Sequence, residues 1–95
     1  MDLDLNGKVA VVTGGSVGIG KAIAKELALE GVNVAVCARR EDLLKQAASD
    51  LASETGGKII PIVTDTTSES SVASMVERVI SELGGVDILV NNAAT

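Results

Sequence analysis

Eight residues, Thr13-Gly14-Gly15-Ser16-Val17-Gly18-Ile19-Gly20, constrain this chain more than any others. They follow a valine-rich apolar run, Val9-Ala10-Val11-Val12, and open a segment to Glu30 with helical periodicity. Glycines at such a junction let the backbone reverse tightly and let a helix start close to a strand. They also leave the first N–H groups of the helix free to meet an anion. A chain built this way alternates strands with helices.

The rest of the sequence keeps that alternation. Apolar runs at Lys8–Val12, Asn33–Ala38, Lys58–Val63 and Val86–Val90 read as strands buried on both faces. Three helical patterns separate them. Gly18–Glu30 carries Ile19, Ile23 and Leu27 at four-residue spacing, and Gly31 stops it. Glu41–Thr55 carries Leu44, Ala48, Leu51 and Ala52 on one face and ends at Gly56-Gly57. Ser68–Leu83 has the stripe Val72, Met75, Val76, Val79, Ile80 and Leu83, with Thr67 or Ser68 as its cap and Gly84-Gly85 as its stop. With no aromatic residue, the core is made of Val, Ile, Leu and Ala. The order β-α-β-α-β-α-β implies right-handed crossovers and a parallel sheet. Pro61 cannot donate to a ladder and belongs on an edge strand, which a doubly wound sheet of order 3-2-1-4 provides. The expected fold class is therefore α/β, doubly wound, with residues 1–95 as one domain.

Charge and composition exclude several classes. A net charge of −5, with no basic run longer than Arg39-Arg40, argues against nucleic acid as a partner. No apolar stretch approaches the roughly 20 residues of a membrane span. The acidic start, Met1-Asp2-Leu3-Asp4-Leu5, lacks the basic residues of a signal or transit peptide, so a cytoplasmic location is expected. The single cysteine, Cys37, lies in an apolar run and reads as a small buried hydrophobe in a reducing compartment.

Two phosphate motifs overlap at the glycine turn. Gly15 to Lys21 matches G-x-x-x-x-G-K, but Ala22 stands where a P-loop needs Ser or Thr for magnesium, and the run Ile88-Leu89-Val90 ends in Asn91 rather than Asp. The alternative is T-G-x-x-x-G-x-G. Gly14 then makes the turn, Gly18 admits a pyrophosphate, and Gly20 brings the helix near the strand. NAD binding would call for a carboxylate at the end of the second strand, about 20 residues on. The sequence there is Cys37-Ala38-Arg39-Arg40. Arg39, with Arg40 beside it, is placed to grip a 2′-phosphate, which favours NADP(H) over NAD(H).

With these features the chain resembles the short-chain dehydrogenase/reductase family over all 95 residues. Four landmarks in order carry the resemblance: the glycine turn, Ala38-Arg39, Asp65-Thr66 and Asn91-Asn92-Ala93-Ala94. The resemblance implies a Rossmann-type sheet and an oxidoreductase that moves hydride between NADP(H) and a carbonyl or alcohol. It implies phosphate contacts from Ser16 and the backbone near Ile19. It implies an Asp65 carboxylate that accepts from the adenine amino group, with the Thr66 backbone beside it, and Asn92 and Ala93 along the ribose. Asp65 as a simple turn residue and Asn91 and Asn92 as pins for the sheet remain the plainer alternatives. Val17 stands where many NADP-preferring members carry Arg or Lys.

Family members continue through a Ser and then a Tyr and Lys four residues apart, and these 95 residues hold no Tyr and no His. The expectation is a cofactor-binding portion truncated before the catalytic part and inactive alone. Its small-molecule substrate would bind only in the full-length parent. A non-catalytic nucleotide-binding or assembly module, or one piece of an enzyme completed by another chain, is the alternative. An uncovered fourth strand is expected to drive self-association or pairing with the remainder of the enzyme.

Overall fold

The computed structural model describes residues 4–92. Its elements run β1 (Val9–Thr13), α1 (Gly18–Leu29), β2 (Asn33–Ala38), α2 (Glu41–Thr55), β3 (Ile59–Val63), α3 (Glu69–Leu83) and β4 (Ile88–Asn91). All strand pairs are parallel, in the order β3-β2-β1-β4. Pro61 sits on the edge strand β3, opposite Val36, where its missing N–H breaks no inner ladder. Among the described residues no helix is long and apolar enough to cross a membrane.

The alternation of side chains along each strand divides the core in two. Ala10, Val12, Val34 and Val36 face α1 and α2, meeting Ala24, Ala28, Leu44, Ala48 and Leu51. Val9, Val11, Ala35, Cys37 and Ile62 face α3, meeting Met75 and Val79. The central strands β1 and β2 are thus buried on both sides, which explains their nearly unbroken apolar sequence.

Three details differ from the sequence reading. The buried line of α1 is Gly20, Ala24 and Ala28, one position along from the expected Ile19-Ile23-Leu27. The helix lies close to the sheet along this small-residue line, Leu27 packs against the core from its flank, and Ile19 is 72% exposed. The α3 stripe is only half used: Met75 and Val79 are buried, while Val76 and Ile80 are exposed. Val76 lies on the side toward β4, where with Val86 and Leu89 it helps bound an apolar groove of about 380 Å³. The ladder of β4 begins at Ile88 rather than Val86, because the Asp87 carboxylate itself takes the Val9 N–H (2.8 Å).

Helix ends follow local chemistry. Ser68 caps α3 by accepting the Ser71 N–H (3.2 Å), while Gly56 and Gly84 end α2 and α3 in the left-handed conformation. Leu51 is fully buried between α2 and the sheet, whereas Leu89 is 65% exposed. Leu51→Ala is expected to cost about 2–5 kcal/mol in urea unfolding. Leu89→Ser should cost no more than about 0.5 kcal/mol in the same measurement.

Candidate cofactor site

The strand order reverses at β1: β2 and β3 lie to one side and β4 to the other. Such a reversal opens a crevice beyond the carboxyl ends of the two diverging strands. The glycine turn leaves β1 at this crevice, and Asn91-Asn92 leaves β4 at it.

Gly14 has φ 70° and Gly18 φ 58°, left-handed values that side chains disfavour. The Gly14 N–H donates to the Cys37 carbonyl (2.8 Å), which ties the turn to β2. Gly20 is the point of closest approach. A Cβ there would collide with the Gly14 carbonyl oxygen, lie 2.8 Å from its carbon and lie 2.9 Å from Asn92 Nδ2. The turn, the first turn of α1 and Asn92 therefore form one close-fitting unit. Ser16 lies half-buried within the turn, and Val17 and Ile19 stand exposed on it.

The start of α1 is set apart from the other helix starts. Val17 precedes it without a side-chain cap, and its first turn holds no acid. By contrast α2 opens with Glu41 and Asp42, and α3 has both Ser68 and Glu69. The free N–H groups and the dipole of α1 thus face the crevice without a competing anion.

A polar knot closes the β4 side. The Thr13 hydroxyl accepts the Asn92 N–H (3.1 Å) and has Val90 O (3.3 Å) and Asn91 Oδ1 (3.1 Å) within reach of its own proton. Asn91 is thereby bonded across to β1, while the Asn92 side chain lies close to Gly20. Thr13 was present in the motif, but only the register Thr13↔Asn91 reveals what its hydroxyl joins. A polar residue closing an apolar strand was the available signal.

A second group lies at the ends of β2 and β3. Arg39 and Arg40 are exposed, and the Arg40 carbonyl accepts the Leu44 N–H (2.9 Å) at the start of α2. Asp65 follows the buried Thr64, with Thr66 exposed beside it. Asp65 Oδ1 accepts both the Thr67 hydroxyl (2.6 Å) and the Thr67 N–H (2.9 Å). These bonds hold the carboxyl below its ordinary value of 3.8, and the charge of Arg39 acts in the same direction. The turn role of Asp65 is real, but both bonds fall on one oxygen. Ala93 lies outside the described residues.

Lys21, the lysine of the alternative P-loop spacing, reaches Asp50 on α2 (3.2 Å). Its charge joins α1 to α2, as does Lys25–Glu54 (3.3 Å). Cys37 is buried, and burial pushes its thiol from 9.0 up to about 11. It is a core residue rather than a nucleophile.

Residues 8–95 match the family model for short chain dehydrogenase. The chain belongs to this family. It is 48% identical over 89 residues to a short chain dehydrogenase of Pseudocercospora fijiensis, covering 94% of this chain and 28% of that protein. L-Sorbose reductase from Gluconobacter frateurii, solved with NADPH and L-sorbose, superposes with a TM-score of 0.95 at 45% identity. The match covers all of this chain and 36% of that one. An NAD+-bound xylitol dehydrogenase superposes with a TM-score of 0.92 at 36% identity, over 98% of this chain and 35% of that one. The chain thus spans about a third of the length of these family members.

Two outcomes test the site. Gly20→Ala forces a methyl group into backbone that cannot yield as a side chain would. It should destabilise the protein by about 3 kcal/mol, the upper part of the overpacking range, and weaken nucleotide binding in titration calorimetry. Cys37 supplies a pH test. Its folded pKa is raised, so its contribution is complete below about 9 and is lost as pH climbs toward about 11. Denaturation midpoints measured across that window should fall more steeply for wild type than for Cys37→Ala.

Proposed function

We propose that residues 1–95 form the dinucleotide-binding domain of an NADP(H)-dependent short-chain dehydrogenase/reductase. In the complete protein it would serve hydride transfer between NADP(H) and a carbonyl or alcohol substrate. The observation that carries this reading is the start of α1, free of cap and acid, on a turn with two left-handed glycines at the crevice. In this reading the pyrophosphate lies against the N–H groups of that turn, with Ser16 and Ile19 beside it. Gly14, Gly18 and Gly20 give the backbone its close approach. Asn92 and Ala93 run along the ribose, and Asp65, with Thr66 next to it, accepts from the adenine amino group.

The bound dinucleotide supplies the hydride chemistry. The residues described here bind and orient it. Solved relatives carry either NADPH or NAD+, so the form preferred by this chain rests on local charge. Arg39 and Arg40 directly follow β2, and neither is a carboxylate that would repel a 2′-phosphate. The single buried cysteine agrees with a reducing compartment such as the cytoplasm. The chain's share of its relatives' length favours one part of a larger catalytic unit over a free-standing binding module.

Titration calorimetry with NADPH and NADH tests the cofactor. A charge-assisted contact is worth about 1.5–3 kcal/mol, or roughly 10–150-fold in favour of NADPH. Arg39→Asp should reverse the order, and equal affinities in the wild type would defeat the NADP assignment. The 95 residues alone should show no NADPH-dependent carbonyl reduction. They should also self-associate in sedimentation velocity, because β4 is an outer strand with Val86 and Leu89 exposed beside it.

A further inference from the structure

The loop between β3 and α3 holds one acid more tightly than a turn needs. Asp65 is fixed at three points. Its N–H donates to Ser71 Oγ (2.9 Å), its carbonyl accepts the Ser68 N–H (3.0 Å), and its Oδ1 takes both donors of Thr67. The preceding Thr64 is buried and bonded through its N–H to Ala38 O (2.9 Å), so the whole segment is anchored to β2. Thr67 is free for this work because the cap of α3 is Ser68. The helix does not need the Thr67 hydroxyl, and that hydroxyl goes to Asp65 instead.

An exposed carboxylate normally samples several rotamers, and a ligand that uses it must freeze one. A carboxylate already held by one oxygen meets its ligand with that freezing done. Resting on the reading that Asp65 accepts from the adenine amino group, we propose that Thr67 is the positioning residue for base recognition. It clamps Oδ1 and presents Oδ2 of the carboxylate as an acceptor. An ionised, oriented acceptor favours a base with an amino group at position 6 and disfavours one with a carbonyl there, since two acceptors then face each other. Thr67 thereby sets selectivity for adenine over hypoxanthine without touching either base.

The test compares dissociation constants of NADPH and its reduced hypoxanthine analogue for the complete protein and for Thr67→Val and Thr67→Ser. Wild type should prefer NADPH by about tenfold or more, the worth of one charge-assisted bond. Thr67→Val should bring the ratio below about threefold, chiefly through weaker NADPH binding, and Thr67→Ser should keep the wild-type ratio. A Thr67→Val protein that keeps the ratio, or that weakens both ligands by one common factor, overturns the positioning role. So does a Thr67→Ser protein that behaves like the valine variant. A wild type indifferent to the base overturns the Asp65 reading itself, and this inference with it.

Discussion

The contact between Gly20 and the carbonyl of Gly14 governs the architecture around it. No side-chain atom separates the first turn of α1 from the turn that leaves β1. The helix therefore lies low on the sheet, and its fully buried positions are Gly20, Ala24 and Ala28, with Leu27 packing against the core at their side. The same closeness aims the uncapped N–H groups of α1 at the crevice and seats Asn92 against the turn. Fold and candidate site are here a single constraint: a larger residue at position 20 would lift the helix and move the amides together.

The other half of the crevice depends on long-range polar bonds. β4 reaches β1 from far along the chain, and it is fastened at both ends. The Asp87 carboxylate accepts the Val9 N–H at one end, and Thr13 gathers Val90, Asn91 and Asn92 at the other. Backbone pairing alone leaves the ends of a short outer strand free to fray. Side-chain bonds at those ends keep the register that sets Asn92 beside Gly20. The two sheet faces are unequal in their cover. α1 and α2 close one, whereas α3 closes the other only in part and leaves Val76 at the apolar groove near β4.

Much of this was legible in the residues. The β-α alternation, the strand order argued from Pro61, the stop glycines and the family resemblance all match the fold and the family. Periodicity misled on α1, because an apolar stripe shows which face is hydrophobic and not how near the sheet lies. It chose Ile19, Ile23 and Leu27, yet the fully buried line is Gly20, Ala24 and Ala28; Leu27 packs against the core from the flank and Ile19 is exposed. On α3 the stripe was correct but wider than the contact it makes. The Thr67-or-Ser68 alternative at the cap was settled by geometry, since both hydroxyls lie near the helix start and only one faces the Ser71 N–H.

Local chemistry written in the sequence determined where strands, helices and turns fall. Glycine conformation, proline's missing donor and apolar period act between neighbouring residues and need no knowledge of the rest of the chain. The sequence also determined which residue types wait at the strand ends. Tertiary structure decided what each of them meets. Lys21 turned to Asp50, Thr67 to Asp65 and Thr13 to the β4 segment. A donor's partner depends on distances across the sheet and between helices, and those distances are set only when the whole β-α array has closed on its core.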